Sequence, residues 1–420
     1  MLRAFRRLVP FFMVGAALLL AACGGGGGGT EEGTATKPPI TLGVMYDATG
    51  ATQLVGVPVK AGAEDYIRLV NKRGGVDGHP INAIFIDNGY EVPKGVDAYE
   101  RMKREGAVAI SLFGTPIAAA LLDRCIADQI PCLSPGFGVA SGANGEKYPY
   151  SFPMAASYWS QAAGAVQFIL DQWEKAGQSG RPKIAYLYYD NPAGREPLEV
   201  LRSLAQREGF ELREFAVPAP GLEMATQVQD IAQRYRADWV ITHLFGRAPS
   251  VSIRTFKENN YPLDRVVALV WGSADTDVLA AGGWEVAQGY YGLQFTAIGA
   301  DLPALNDIRK MYQEEGQQPS EFLQRGDVYY SRGVAIAAAL VEAARIALDK
   351  HGYPLDGPKM KEALESLRGD IAGMVTLRMS PQDHEGGGFV RIYQVKGSGW
   401  EPVTEWYNAY RDVINQFLQR

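Results

Sequence analysis

A hydroxyl residue at the start of a predicted helix is the first candidate for ligand binding in this sequence. Thr115 follows the apolar run 107–112, which predicts a β-strand, and precedes Pro116, a residue type favoured in the first turn of a helix. The first N–H groups of a helix are free at its N-terminus and attract anions. Thr115 therefore either holds an anionic ligand or only caps its own helix, and the residues alone leave both interpretations open.

A second turn of small residues follows the next predicted strand. Residues 130–133 are short, apolar and strand-like, and they end in the sequence Ser-Pro-Gly-Phe-Gly at residues 134–138. Two neighbouring parallel strands end at the same edge of a sheet, so these two turns are predicted to lie side by side around a ligand. The candidate binding residues of the two turns are Thr115, Gly136, Phe137 and Gly138.

The elements that must position these turns alternate regularly along the chain. Strand and helix patterns alternate once over residues 40–138 and again over residues 183–295. Helical patterns then dominate residues 302–367, and residues 389–406 predict a hairpin. Alternating strands and helices predict parallel sheets covered on both faces. The expected fold is α/β, with two doubly wound βα lobes joined by a hinge and a ligand cleft between them.

The length of 420 residues is too great for one small core and agrees with two lobes. We expect the chain to cross between the lobes near residues 155, 294 and 375. The predicted layout is a signal peptide at 1–22, a flexible tether at 23–39, lobe one at 40–155, lobe two at 156–294, lobe one again at 295–375, and lobe two again at 376–420.

The N-terminus has the pattern of an export signal. Arginines precede the apolar run 8–20, which is too short to span a bilayer. The sequence Leu-Ala-Ala-Cys at residues 20–23 resembles the lipobox of bacterial lipoproteins, which implies cleavage before Cys23 and lipidation of that residue. The alternative is an ordinary signal peptide with an incidental cysteine. We expect an extracytoplasmic protein that is anchored to a bacterial membrane, in the periplasm or at the cell surface, by lipid.

Composition argues against several classes of protein. A net charge of -6 disfavours a nucleic-acid partner. The four histidines are widely scattered, so no metal-ligand spacing is present, and we expect no metal and no cofactor. The sequence has neither a nucleophile elbow nor a phosphate-binding glycine motif. Asp275 and Asp277 are a candidate carboxylate pair, but a solvated turn explains them equally well. The expectation is a binding protein with no catalytic residue.

Two cysteines remain in the part of the chain that is predicted to fold. Cys125 is expected within a helix and Cys132 in the following strand. An oxidising compartment permits a disulfide between them, and a pair of free buried thiols is equally compatible with the sequence.

Several local motifs, taken in order, resemble type I periplasmic binding proteins. They are Thr49-Gly50, the sequence Asn-Lys-Arg-Gly-Gly-Val-Asp-Gly at residues 71–78, Asp87-Asn88 at a strand end, and Ser134-Pro135-Gly136. The resemblance extends over the chain from about residue 40 and is strongest to the leucine/isoleucine/valine-binding proteins of ABC importers. It implies a monomeric protein that captures a small molecule and delivers it to a transporter permease. The alternative role is a ligand-sensing receptor subunit, which would use the same two-lobed architecture.

The resemblance also assigns ligand contacts, residue by residue. In this family the ligand carboxylate is held by the turns that contain Thr115, Phe137 and Gly138 here, and lobe two supplies an aromatic residue and an acid for the ammonium. Asp275 is the nearest acid to that position, which an ungapped comparison places at Ala274. The remaining candidate contacts are Thr49, Gln53, Tyr158, Trp159, Phe245 and Trp271.

The resemblance implies a branched-chain or other amino acid, or an amino-acid-like molecule, as the ligand. A buried ammonium needs a carboxylate, because an unpaired buried charge is costly. If Asp275 does not reach the ligand, aromatic or aliphatic carboxylates or amides become the better candidates, and the aromatic side chains would form an apolar wall around them.

Overall fold

A computed structural model describes residues 37–218 and 221–420 of the chain. The predicted signal peptide, the lipidation site Cys23 and nearly all of the predicted tether lie outside these residues.

The first sheet is built from five short parallel strands. They are β1 (Ile40–Tyr46), β2 (Ile81–Asp87), β3 (Ile110–Ser111), β4 (Cys132–Leu133) and β5 (Ser151–Phe152). Their order across the sheet is β2-β1-β3-β4-β5. The chain therefore turns to opposite sides of β1 after its first and second crossovers. A crevice forms at such a reversal, outside the carboxyl ends of the strands.

The second sheet repeats this order and adds an antiparallel edge. Its strands are β6 (Lys183–Tyr189), β7 (Glu211–Val217), β8 (Trp239–His243), β9 (Val266–Ala268), β10 (Tyr291–Gln294), β13 (Arg391–Lys396) and β14 (Gly399–Pro402). The order is β14-β13-β10-β9-β8-β6-β7. Strand β13 pairs antiparallel with both β10 and β14, and the other neighbours are parallel. A separate hairpin joins β11 (Arg368–Ile371) to β12 (Val375–Arg378).

Helices connect and cover the strands. They are α1 (Gln53–Lys72), α2 (Val92–Arg104), α3 (Thr115–Asp128), α4 (Tyr158–Lys175), α5 (Pro192–Arg195), α6 (Leu198–Glu208), α7 (Ala225–Gln229), α8 (Ala248–Glu258), α9 (Asp275–Ala280), α10 (Pro303–Glu314), α11 (Glu321–Arg325), α12 (Val328–His351), α13 (Gly357–Glu365) and α14 (Arg411–Leu418). We call the first sheet and its helices lobe one, and the second sheet and its helices lobe two. The chain leaves the first sheet after β5, returns to lobe one after β10, and rejoins the second sheet at β13.

The long helix α12 belongs to lobe one because it crosses α1 at close range. A Cβ atom at Gly62 would lie 2.0 Å from the Tyr330 carbonyl oxygen, and one at Gly333 would lie 2.0 Å from that of Val59. Only glycine permits this backbone approach. Eighteen of the 24 residues of α12 are buried, so this helix forms the centre of the lobe-one core.

The observed elements follow the predicted alternation, with differences in detail. The strands predicted over residues 107–112 and 130–133 are shorter in the structure, although the bonds Val108 N–H to the Thr41 carbonyl and Leu112 N–H to the Leu133 carbonyl continue the pairing at both ends of β3. Strands β5, β11 and β12 were not anticipated, since two- to four-residue strands have too few positions to show alternation. The helix predicted over residues 224–235 ends in a π-helical turn, Asp230–Tyr235.

The two cysteines, whose state the sequence left open, form a disulfide. The Cys125 and Cys132 Cα atoms are 6.1 Å apart, and the bond ties α3 to β4 directly below the two turns singled out above. Among the described residues, no helix combines the length and apolar character needed to cross a membrane.

Candidate functional site

A cleft lies between the two lobes, at the carboxyl ends of the strands of both sheets. The space there that no atom fills is about 330 Å³, part of it continuous with solvent. Six of the ten lining residues are aromatic, and none carries a charge. The lining residues are Thr52, Val55, Tyr90, Phe113, Gly114, Thr115 and Phe137 from lobe one, and Tyr158, Phe245 and Trp271 from lobe two.

Thr115 provides the polar group at the base of the cleft. It is the first residue of α3, directly after Gly114, whose φ of +107° lies in a region that favours glycine. The Thr115 hydroxyl oxygen accepts a long hydrogen bond of 3.4 Å from the backbone N–H of Gly138. Because the oxygen is the acceptor in that bond, its own hydrogen can be donated, either to the Tyr158 oxygen beside it or to a ligand. The structure thus joins the two turns through this side chain.

The other threonine of the cleft is already engaged. The Thr52 hydroxyl donates to the buried carboxylate of Asp47 at 2.6 Å. The same carboxylate accepts backbone N–H bonds from Thr49, Gly50 and Thr52. Asp47 therefore organises the turn after β1, and its oxygens have no remaining role toward a ligand.

The lobes are in direct contact across the cleft, so the observed conformation is closed. The indole N–H of Trp271 in lobe two donates to the Gly136 carbonyl of lobe one at 2.9 Å. The Trp271 ring also meets the Phe137 ring edge-on, with centroids 5.9 Å apart. Phe245 approaches Tyr90 with the rings tilted by 45°, again with centroids 5.9 Å apart. Aromatic side chains of lobe two thus complete a wall that lobe one begins.

Tyr158 is supported from behind by a buried histidine. The rings of Tyr158 and His243 make an edge-on contact with centroids 4.2 Å apart. The Tyr186 hydroxyl donates to the Gly194 carbonyl, so its oxygen accepts from Nδ1–H of His243, which fixes the tautomer. Burial lowers the pKa of His243 to about 3, and the imidazole is neutral at physiological pH. Burial also raises the pKa of Tyr158 well above its ordinary value, an effect that the Thr115 hydroxyl opposes.

A buried arginine from α12 lies behind Trp271. The Arg332 guanidinium is 4.9 Å from the centre of the Trp271 ring. It donates to the Val270 carbonyl and, at 2.5 Å, to the side-chain oxygen of Gln294. Its Nε has no partner among the described residues, and no carboxylate there pairs with it. Burial lowers its pKa to about 10, so it is still cationic at neutral pH.

Asp275, the predicted acid for an ammonium, lies outside the cleft. Its carboxylate accepts a 3.0 Å hydrogen bond from the backbone N–H of Val328 and borders a different cavity. Burial, with the charge of Asp327 second, raises its pKa to about 7. Asp277 is fully buried and accepts from the Tyr329 hydroxyl at 2.7 Å and from the Ala274 N–H at 3.0 Å. Both acids therefore bond to the first two residues of α12, Asp275 to Val328 and Asp277 to Tyr329.

The structure brings together five of the residues singled out from the sequence, namely Thr115, Phe137, Tyr158, Phe245 and Trp271. Gly136 and Gly138 adjoin the cleft through their backbone bonds to Trp271 and Thr115. Thr49 is exposed in the turn before α1, and Gln53 is exposed as the first residue of that helix. Trp159 lies elsewhere, with its indole N–H bonded to the Glu196 carbonyl and its ring packed on Phe417.

Five lining residues were not singled out from the sequence: Thr52, Val55, Tyr90, Phe113 and Gly114. Tyr90 and Phe113 each follow a strand of the first sheet, so the rule that ligands bind at carboxyl ends of strands would have indicated both. Val55 lies on the first turn of α1, where an apolar residue is normally read as core. In the described part of the chain, no group of three metal-ligating side chains comes together.

Comparison with known proteins identifies the class to which this fold and cleft belong. A model of the family described as "Periplasmic binding protein" matches residues 39–399. The chain therefore belongs to the periplasmic binding protein family, whose members are extracytoplasmic solute-binding proteins and not enzymes.

Individual relatives are consistent with this assignment. A solved structure from the Pseudomonas fluorescens group, described as an ABC transporter permease, is 32% identical with a TM-score of 0.81 over 91% of this chain and 95% of that chain. A branched-chain amino acid ABC transporter protein from Thermus thermophilus, solved with bound valine, shares the fold at 20% identity and a TM-score of 0.78, over 91% and 99% of the chains. The Leu/Ile/Val-binding protein homolog 3 of Brucella melitensis is 33% identical over 85 residues, which span 20% of this chain and 23% of that curated relative.

Proposed function

We propose that this protein is the solute-binding component of an ABC importer, which captures a small carboxylate-bearing molecule between its lobes and delivers it to a membrane permease. The observation that carries the proposal is the cleft itself. A hydroxyl with a free hydrogen, on Thr115 of lobe one, faces an aromatic wall that lobe two completes with Phe245 and Trp271. This arrangement can hold an anionic end and an apolar body at once.

The mechanism that we propose is capture by lobe closure. A solute first meets lobe one in the open form, at Thr115 and at the turn of Gly136, Phe137 and Gly138. Lobe two then closes over it, and the bond from Trp271 to Gly136 forms together with the contact between Phe245 and Tyr90. A ligand that contacts both lobes binds only the closed form tightly and shifts the population toward it. The permease distinguishes the loaded protein by this closed shape.

The direct test is a ligand screen on the purified protein without its signal sequence. Amino acids, aromatic acids, short-chain acids, amides and polyamines are added singly, and the melting temperature is recorded. A ligand that binds the folded state must raise it, by an amount that grows with concentration. Small-angle scattering of the same mixtures should show a smaller radius of gyration only for compounds that raise the melting temperature. A screen in which no compound has either effect would refute solute capture.

Membrane attachment through Cys23 is a separate part of the proposal. It rests on the Leu-Ala-Ala-Cys sequence at residues 20–23. Cells that express the full chain are grown with a labelled fatty acid, and the membrane fraction is collected. The native protein should carry the label and sediment with membranes, whereas Cys23→Ala should do neither. Label on the Cys23→Ala protein would contradict lipidation at this residue.

A further inference from the structure

We infer that the cleft selects a monocarboxylate with an aromatic or branched apolar body and excludes ligands that carry an ammonium group. The inference rests on the proposed function and narrows its ligand class. It follows from the polar groups that face the cleft and from those that do not.

Among the described residues, the carboxylates nearest the cleft are engaged in structural hydrogen bonds. Asp47 is saturated by the backbone and hydroxyl bonds of its own turn. Asp275 accepts from Val328 and opens onto another cavity. Asp277 is fully buried and accepts from Tyr329 and Ala274. Glu196, whose charge acts on Tyr158, accepts from the backbone N–H of Ala140. Each of these acids thus has a structural partner.

The polar groups that do line the cleft include hydrogen-bond donors suited to an anion. Thr115 retains its hydroxyl hydrogen, because its oxygen is the acceptor from Gly138. The Tyr90 hydroxyl makes no hydrogen bond within residues 37–218 and 221–420, and the Tyr158 hydroxyl has the Thr115 side chain beside it. Burial raises the pKa of Tyr90, as it does that of Tyr158, so both phenols keep their hydrogens at neutral pH. Hydrogen bonds from hydroxyls to a carboxylate are charge-assisted and therefore strong.

A buried positive charge lies behind the aromatic wall of the cleft. Arg332 lies against the rear face of Trp271, and its hydrogen bonds go only to neutral oxygens. Within the described residues no carboxylate is hydrogen-bonded to it, although the charges of Asp277 and Asp327 act on it. Its own charge reaches Tyr158 in the cleft. That charge attracts an anionic ligand and repels a cationic group. The N-terminus of α3 at Thr115 acts in the same direction.

A zwitterionic amino acid would consequently lose the solvation of its ammonium without gaining a partner. A buried unpaired charge is among the most unfavourable arrangements in a protein. An amino acid and the corresponding acid without the ammonium have the same apolar body, so both bodies would fit the aromatic wall equally well. The ammonium alone should decide between the two compounds.

Matched pairs of compounds isolate this single group. Isothermal titration calorimetry compares phenylacetate with phenylglycine, 3-phenylpropanoate with phenylalanine, and 4-methylpentanoate with leucine. Each pair differs only by the ammonium. In any pair that binds, we expect the acid without an ammonium to bind about 100-fold tighter or more. The primary amides of the same acids form a third arm, and they should bind at least about 10-fold more weakly than the carboxylates.

The outcomes separate the inference from the proposed function. Equal or tighter binding of the amino acids overturns the inference and leaves solute capture intact. Amides that match the carboxylates overturn the requirement for an anion. If no compound binds in any pair, the inference fails, and the wider ligand screen described above decides the proposed function separately. As a second measurement, Asp275→Asn should leave the preference within each pair unchanged, and a selective loss of amino-acid binding in that variant would assign Asp275 to the ligand and refute the inference.

Discussion

At the scale of single residues, the hydrogen-bond network decides which hydroxyl groups of the cleft can donate to a ligand. The Thr115 hydroxyl accepts from Gly138 and keeps its hydrogen, while that of Thr52 gives its hydrogen to Asp47. Two threonines that line the same space thus have different capacities. Only Thr115 can donate to a bound molecule.

The first prediction concerns this donor. Thr115→Ala should weaken binding of a carboxylate ligand by about 1–3 kcal/mol, because a buried charge-assisted bond is lost. Calorimetry on the variant measures the change. The matched control is Thr376→Ala, an exposed threonine of β12 outside the cleft, which should bind like the native protein. Unchanged affinity in Thr115→Ala would remove its assigned role.

The second prediction concerns His243, which burial keeps neutral. Its pKa is lowered to about 3 in the folded state, against about 6.5 in an unfolded chain. Between these two values the unfolded chain binds an extra proton, so the folded state loses stability as the pH falls. Chemical denaturation from pH 7 to pH 4 should therefore show that the difference in unfolding free energy between native protein and His243→Gln declines by up to about 1.4 kcal/mol per pH unit below 6.5. A constant difference would mean that His243 takes up its proton over the same pH range in the folded and the unfolded protein.

At the scale of elements, the start of α12 is held by the turn between β9 and α9 of the opposite lobe. The Tyr329 hydroxyl donates to the Asp277 carboxylate at 2.7 Å and lies 2.8 Å from the Trp271 carbonyl oxygen. Asp275 accepts from Val328, the first residue of the same helix. We call these contacts the interlobe latch. They connect the wall of the cleft to the core helix of lobe one.

The interlobe latch gives a prediction with an internal control on the next residue. Tyr329→Phe removes a hydroxyl that joins the lobes, so it should weaken ligand binding by about 1–3 kcal/mol. Tyr330→Phe also removes a hydroxyl bonded to a buried acid, Asp65, but that acid lies on α1 within lobe one. This control should lower the melting temperature without changing the affinity of the folded protein. Equal affinities for the two variants would show that the latch does not contribute to closure.

The elements also show what the sequence can predict. Thr115 and Phe137 were identifiable because each lies in a turn after a predicted strand, and the ends of neighbouring parallel strands must meet. Phe245 and Trp271 were identified through the family resemblance. The orientation of Asp275 could not be predicted, because it depends on the N-terminus of a helix that begins some fifty residues later along the chain. Contacts of that kind are set by tertiary packing and leave no local pattern.

At the scale of the whole molecule, closure brings the two backbones into contact. A Cβ atom at Gly246 of lobe two would lie 2.5 Å from the Ala51 carbonyl oxygen of lobe one. This approach exists only while the cleft is closed, since the two residues belong to different lobes. Alternating strands and helices predicted the lobes, but no feature of the sequence reports how near they come.

The last prediction uses this contact. Gly246→Ala should prevent full closure and weaken ligand binding by about 10-fold or more, because the added methyl clashes with Ala51. Gly246 has a φ of +66°, so alanine is also strained there. Gly209→Ala is the matched control, with a φ of +77° and no atom of the opposite lobe within 4 Å of the added Cβ. Small-angle scattering with saturating ligand should show a larger radius of gyration for Gly246→Ala alone, and identical compaction of both variants would contradict the steric argument.

Because Trp271 bonds to Gly136 across the cleft, its intrinsic fluorescence should report whether the lobes are open or closed. The indole of Trp271 is 6% exposed in the closed form and donates across the cleft, so opening the lobes would transfer it from a dry, aromatic surrounding to water. Tryptophan emission shifts and changes in intensity with such a transfer. Fluorescence of the unlabelled protein can therefore follow loading and release in real time, and replacing Trp271 with phenylalanine identifies its share of the signal.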